Sequence, residues 1–257
     1  MKEEFKPIAK ECLKCLGFCV IEIEEKPGVL TPDFEVIGKK DKYTIELKEK
    51  GDDPEEISRD SEILSRGEFV EKSIPISPRN RLKGIIDRGV RQLIEHDPNG
   101  ESFRIIWLHS AGLEPSLNND RFHSTLFGSQ ILFSLRLPET ITCYYFNESA
   151  FYTWRNHLDG AILTHNNKGQ LCINSLSPRV ELFRKSELVA CMSNGLCDPQ
   201  KLEESTDGVM IADCDIDRKS PDLVKRYLQD KYDLDHLQTI TFKQISCAVA
   251  VPMDGNK

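Results

Sequence analysis

Two neighbouring stretches of the chain carry acids and a lysine at spacings that suit metal chemistry. Asp33 begins the apolar-rich run DFEVI, and Glu46 and Lys48 lie in the next run, KYTIELKEK. Side chains alternate along a strand, so Glu46 and Lys48 share one face and the apolar residues beside them take the other. If residues 38–41 form the turn of a hairpin, Asp33 lies directly opposite Glu46 on the same face.

Other registers of this hairpin remain open. A shift of two residues would set Asp33 opposite Lys48 and keep all three side chains on one face. An odd-length loop without a bulge would turn Asp33 to the wrong face. The plain alternative treats Glu46 and Lys48 as a solvated pair and Asp33 as a turn residue after proline.

Paired carboxylates with a lysine suit phosphodiester chemistry. Two carboxylates that lie close repel each other unless a cation sits between them, and hard oxygen ligands suit Mg²⁺ or Mn²⁺. The Lys48 ammonium would lie near both a metal-bound water and a phosphate, where it could orient the nucleophile or stabilise the transition state. We therefore expect a metal-dependent hydrolysis.

The surrounding elements indicate an α/β fold. Apolar spacing predicts a helix over residues 4–17, three strands follow in a meander, a helix spans 78–96, and a buried strand spans 102–112. The order helix, three strands, helix, strand favours a mixed central sheet with flanking helices. Residues 51–78 are predicted to be an inserted loop, or short elements, over one edge of the sheet.

The rest of the chain predicts a mixed α/β extension. The predicted elements are a helix near 120–135, a strand at 140–146, a hairpin at 161–174, helices that open at Ser177 and Ser220, and a closing strand pattern at 239–251. The change of pattern suggests a core over 1–147 and an extension over 148–257, which could still form one domain with the core.

A basic run extends from residue 72 to residue 91, into the predicted helix that follows the third strand. Its members are Lys72, Arg79, Arg81, Lys83, Arg88 and Arg91, against one acid, Asp87. On a helical wheel Arg81, Arg88 and Gln92 cluster opposite the apolar stripe, with Arg91 at its flank. Because the formal net charge is −8, any contact with nucleic acid must come from such a local patch. The alternative is an ordinary solvated helix face.

The pattern resembles the PD-(D/E)XK nucleases, the restriction-endonuclease-like superfamily. The resemblance rests on Pro32-Asp33, on Glu46-Leu47-Lys48 and on the element order over residues 4–112. It implies that Asp33 and Glu46 bind Mg²⁺ and that Lys48 assists the attack of water on a DNA backbone. It also implies a glutamate from the first helix, Glu11 or Glu4, and a glutamine on the second helix, Gln92.

Nine cysteines in a chain without an apparent export signal predict free thiols rather than disulfides. Cys12, Cys15 and Cys19 are expected to overlap the apolar face of the first helix. Cys191 and Cys197 could complete a metal site with them, but the paired CxxC form is missing, and core thiols are the expectation. The cysteines also do not reproduce the pattern of the iron–sulfur branch of the family.

The sequence therefore predicts a Mg²⁺- or Mn²⁺-dependent deoxyribonuclease, with endonuclease action expected. The partner is nucleic acid, DNA being favoured, with no membrane and with a homodimer as a further possibility. No segment reaches the roughly 20 apolar residues of a membrane span, so a cytoplasmic location is expected. The alternatives are an inactive member of the same fold that binds nucleic acid or protein, and an unrelated α/β protein with an accidental motif.

Overall fold

The central feature of the computed structural model is one mixed sheet of seven strands with helices on its two faces. The model describes residues 2–24, 28, 30–75, 78, 80–241 and 243–249. The strand order is β1-β2-β3-β5-β8-β9-β10, with elements numbered along the chain. The predicted fold class, α/β with a mixed central sheet and flanking helices, is confirmed.

The strands of this sheet are β1 Cys19–Glu22, β2 Phe34–Ile37, β3 Lys42–Lys50, β5 Phe103–Ser110, β8 Gly160–His165, β9 Lys168–Ile173 and β10 Leu196–Cys197. Neighbours from β1 to β3 pair antiparallel, β3, β5 and β8 pair in parallel, β8 and β9 form an antiparallel hairpin, and β10 pairs in parallel with β9. The central strands are buried on both sides, which explains their nearly continuous apolar runs.

The helices within the described residues are α1 Lys2–Cys15, α2 Pro54–Ser65, α3 Asn80–His96, α4 Pro115–Phe127, α5 Ala150–Thr153, α6 Val180–Arg184, α7 Glu187–Cys191, α8 Pro199–Ser205 and α9 Pro221–Tyr232, with a 3₁₀ turn at Ser193–Gly195. None of these helices has both the length and the apolar character that a membrane crossing requires.

One apolar cluster lies on each face of the sheet. On one face, Ala9 and Leu13 of α1 pack with Ile45 and Leu47 of β3. On the other face, α3 and α4 cover β5, β8 and β9. The α3 residues Leu82, Ile86, Val90 and Leu93 recur every three or four positions, so they form one buried stripe as the sequence predicts.

The predicted element order is interrupted between β3 and α3. The segment predicted as a loop or short elements contains the twelve-residue helix α2 and the strand β4 Phe69–Pro75. Strand β4 pairs antiparallel with β13 Lys243–Val249, near the other end of the chain, in a two-stranded sheet of its own. The local pattern could not show this pairing because the partner strand is remote in sequence.

The region after residue 147 contributes directly to the central sheet. Strand β8 pairs with β5 over six residue pairs, and the β8–β9 hairpin agrees with the one predicted at 161–174. A second sheet, in the order β11-β7-β6-β12, contains β6 Gln130–Phe133, β7 Ile141–Tyr144, β11 Val209–Ile211 and β12 Gln238–Ile240. The boundary predicted near 147 therefore runs through the central sheet.

Two local predictions were wrong in their details. The helix predicted near 120–135 ends at Phe127, because Gly128 takes a left-handed backbone (φ 59°) and β6 begins at Gln130. Cys12, Cys15 and Cys19, expected to overlap the apolar face of the first helix, are exposed. The buried stripe of α1 runs instead through Ala9 and Leu13.

Candidate active site

The β2–β3 hairpin has the turn that the sequence predicts. Ile37 pairs with Lys42 and Phe34 with Ile45, so the connection is residues 38–41. Within the turn, the Gly38 N–H donates to the Asp41 carbonyl at 2.9 Å. The paired register ends at Phe34 opposite Ile45, and Asp33 lies just before β2.

Asp33 is held where regular pairing between the two strands ends. Its backbone N–H donates to the Ile45 carbonyl at 3.1 Å. Its carboxylate oxygen Oδ2 accepts a hydrogen bond from the Leu47 N–H at 2.9 Å, and Oδ1 lies 3.0 Å from the Lys6 ammonium. The Asp33 carboxylate therefore sits against the peptide unit that follows Glu46.

Glu46 and Lys48 lie on the face of β3 that α3 covers. The Lys48 ammonium donates to the Glu46 carboxylate and, at 2.7 Å, to Gln92 Oε1 on α3. The Gln92 amide nitrogen in turn donates to the Thr31 carbonyl at 2.9 Å, in the segment that leads into β2. Gln92 thus links the lysine, the helix and the Asp33 segment. Its position at the border of the buried stripe differs from the predicted one opposite that stripe.

Burial makes the charges of this group significant. The side chains of Asp33 and Glu46 are 3% and 0% exposed, and that of Lys48 is 20% exposed. Buried carboxylates are costly unless they are paired with cations and hydrogen bonds. Lys6 and Lys48 supply one ammonium group to each acid, so the cluster of Asp33, Glu46, Lys6 and Lys48 balances its own charge.

Gly89 lets α3 approach this cluster closely. A Cβ atom at residue 89 would lie 2.8 Å from Ile106 Cδ1, 3.3 Å from Glu46 Cγ and 3.4 Å from Lys48 Cε. The absence of a side chain therefore seats the helix directly on Glu46 and Lys48. Neither Gly89 nor Lys6 was singled out from the sequence, since nothing in the local pattern shows which residues of α1 and α3 face β3.

The structure does not bring Glu11 into the cluster. Its side chain is 65% exposed, and its ion pair is with Lys14 on the same helix, at 2.6 Å. Glu11 lies about 200° around the helix from the buried Ala9 and Leu13, on the opposite side of α1. Glu4 is also exposed. Among the described residues of α1, the contact with Asp33 comes from Lys6.

The basic residues predicted on α3, called the basic stripe below, lie along its exposed side, and some of them are paired with acids. Arg81 lies 3.4 Å from Asp53, and Lys83 pairs with Asp87 and Glu148. Arg88 and Arg91 are exposed, and no ion pair is found for either one within the described part of the chain. Arg88 is one helical turn before Gln92, which places it at the edge of the cluster.

Two members of the basic run cannot be placed. Arg79 lies outside the described residues. Lys72 falls on β4, but its side chain is likewise outside the description.

The comparisons with known proteins give no relative for this chain. No family model matches the sequence, and no match was found among curated proteins or solved structures.

The close approach of α3 to β3 leads to a prediction about the free energy of unfolding of two glycine variants in this helix. A Cβ atom at Gly84 would meet nothing within 4 Å, so Gly84→Ala should raise the free energy of unfolding by about 0.5 to 1 kcal/mol through helix propensity. At Gly89→Ala the crowding against Glu46 and Lys48 should cancel that gain. Urea unfolding of the two variants measures the difference, and equal stabilisation would show that α3 does not need the close approach.

Proposed function

We propose that the chain is a metal-dependent nuclease that hydrolyses phosphodiester bonds, with DNA as the favoured substrate. The observation that carries the proposal is that one hairpin holds two buried carboxylates, Asp33 and Glu46, with the Lys48 ammonium paired to Glu46. Such a group combines hard oxygen donors with a positive charge that can meet a phosphate.

The donor set fits a hard divalent cation. Asp33 and Glu46 offer carboxylate oxygens and no sulfur or imidazole, which favours Mg²⁺ or Mn²⁺ over softer metals. These two residues would hold the ion. When bound, the ion supplies Lewis acidity toward a phosphoryl oxygen and lowers the pKa of a coordinated water.

The protein's own residues would do the rest of the positioning. Lys48 would place its ammonium against a phosphate oxygen and stabilise the negative charge that develops there during attack. Gln92 accepts a hydrogen bond from the Lys48 ammonium and itself donates to the Thr31 carbonyl, so it acts as a positioning residue. Arg88 and Arg91, with Arg81 beyond them, would contact backbone phosphates and set the orientation of the nucleic acid.

A second candidate is an inactive member of the same fold that binds nucleic acid or another protein. The observation that favours it is the charge balance of the cluster: Lys6 and Lys48 each satisfy one of the acids. A metal ion could enter only if these ammonium groups moved aside. The two candidates differ in whether divalent metal binds and whether cleavage follows.

Replacement of Lys48 tests the catalytic proposal. Lys48→Ala should lower the rate of cleavage of plasmid, linear duplex or single-stranded DNA by about 100-fold or more, because it removes the charge beside the reacting phosphate. The assay uses Mg²⁺ or Mn²⁺, with an EDTA control. Lys42→Ala, at the exposed start of the same strand, should keep wild-type activity. A folded wild type that cuts none of these substrates would favour the binding alternative.

Replacement of Lys6 tests the proposed competition between ammonium and metal. Lys6→Met should destabilise the metal-free protein by about 1 to 3 kcal/mol, since a buried carboxylate loses a charged partner. Mg²⁺ should raise the melting temperature more in this variant than in the wild type, because the ion no longer competes with Lys6 for Asp33. The control is Lys10→Met on the same helix, which removes an ion pair with the exposed Glu22 of β1. Both effects should be smaller in this variant. Equal responses to Mg²⁺ in all three proteins would contradict a metal site at Asp33.

The basic stripe gives a prediction about salt dependence. Arg88→Ala and Arg91→Ala should each weaken binding to duplex DNA of any sequence and reduce the slope of log affinity against log salt by about 1. Fluorescence anisotropy without divalent metal measures this slope. The control is Arg66→Ala, because Arg66 is an exposed arginine directly after α2 that pairs with Glu62. Unchanged slopes at positions 88 and 91 would assign the stripe to ordinary solvated surface.

A further inference from the structure

A second group of metal-ligating side chains lies on the same sheet, separated from the Asp33–Glu46 cluster by β5 and β8. Its members are His123 on α4, Cys172 on β9 and Cys197 on β10. One ligand atom from each, the imidazole nitrogen and the two sulfurs, lies within 4.8 Å of the other two. Both cysteines are buried, at 0% and 4% exposure, and His123 is half-buried.

The two thiols are brought together by strand pairing. Strands β9 and β10 are parallel, with Cys197 directly opposite Cys172, so both side chains point to the same face of the sheet. His123 approaches from α4, with Nε2 at 3.5 Å from the Cys197 sulfur. Three soft ligands from three separate elements therefore converge on one point.

The short strand β10 is fixed in place from both sides. Before it, a Cβ atom at Gly195 would lie 2.5 Å from the Gly169 carbonyl oxygen, so only glycine permits this approach to β9. After it, the buried Asp198 accepts two hydrogen bonds from the Arg184 guanidinium, at 2.8 and 2.9 Å. The position of Cys197 is thus set by rigid contacts rather than by a free loop.

We infer that His123, Cys172 and Cys197 form a site for a thiophilic divalent cation, Zn²⁺ being the expected ion. Tetrahedral bonds of zinc to sulfur and nitrogen put neighbouring ligand atoms roughly 3.5 to 3.8 Å apart. The 3.5 Å separation of the imidazole nitrogen and the Cys197 sulfur matches this spacing. Two thiolates and a neutral imidazole also balance the charge of the ion, as a buried site requires.

Two neutral side-chain oxygens lie beside the thiols. The Tyr144 hydroxyl lies 3.9 Å from the Cys197 sulfur, and the Cys172 thiol donates to the side-chain oxygen Oε1 of Gln170 at 3.8 Å. These neutral oxygens border the site without adding charge, so the fourth position suits a water molecule. Three protein ligands with one open position is the arrangement of zinc sites that exchange or activate a ligand.

Thiols bind zinc as thiolates, so binding of the ion would release the protons of Cys172 and Cys197. The inference does not depend on the proposed nuclease activity.

The metal content of the purified protein tests the inference. Elemental analysis should find about one zinc per chain in the wild type and in Lys48→Ala, and at least tenfold less in Cys197→Ser and His123→Ala. Cys143→Ser is the matched control, because Cys143 is a buried thiol in a different apolar cluster. The double variant Cys12→Ser, Cys15→Ser should keep its zinc, which excludes the exposed CxxC of α1 as the source.

Cobalt substitution keeps the test decisive if Cys197→Ser does not fold. The wild type and the Cys12→Ser, Cys15→Ser variant should both show sulfur-to-cobalt charge transfer and the visible bands of tetrahedral Co²⁺. Two results would overturn the inference. One is a Cys172–Cys197 disulfide found by mass analysis of the protein isolated without reductant, and the other is free thiols with neither zinc nor cobalt bound.

Discussion

The pairing of buried carboxylates with lysines, set by the register of one hairpin, is the interaction on which this structure depends. Asp33 and Glu46 lose nearly all contact with solvent, and their charges are tolerable only because Lys6 and Lys48 meet them. Lys6 comes from α1, and Lys48 is held from α3 through Gln92. One cluster of charges therefore ties the helices on both faces of the sheet to its central hairpin.

The two faces of β3 carry different kinds of side chain. On the α1 face, β3 contributes Ile45 and Leu47 to a continuous apolar cluster. On the α3 face, the same strand presents Glu46 and Lys48, and Gly89 brings the helix down upon them. A strand that is buried on both sides normally carries apolar residues throughout, so the fully buried Glu46 in its middle is costly unless it is paired, as it is with the partly exposed Lys48.

Two chemically different groups thus occupy the same sheet, with β5 and β8 between them. The cluster around Asp33 and Glu46 offers hard oxygen atoms, whereas the group of His123, Cys172 and Cys197 offers sulfur and nitrogen. These donor sets select different cations, so two metals would not compete for one site. The seven-stranded sheet, completed by strands after residue 147, holds both groups at fixed positions.

The sequence by itself determined what depends on neighbouring residues. The residue pattern predicted the four-residue turn between β2 and β3 and a common face for Glu46 and Lys48, and helical spacing identified the buried stripe of α3. The tertiary structure alone decided that Lys6 rather than Glu11 meets Asp33, and that Cys197 joins Cys172 and His123 rather than Cys191. Backbone geometry fixes side-chain directions over a few residues, whereas contacts between remote elements depend on how the whole core packs.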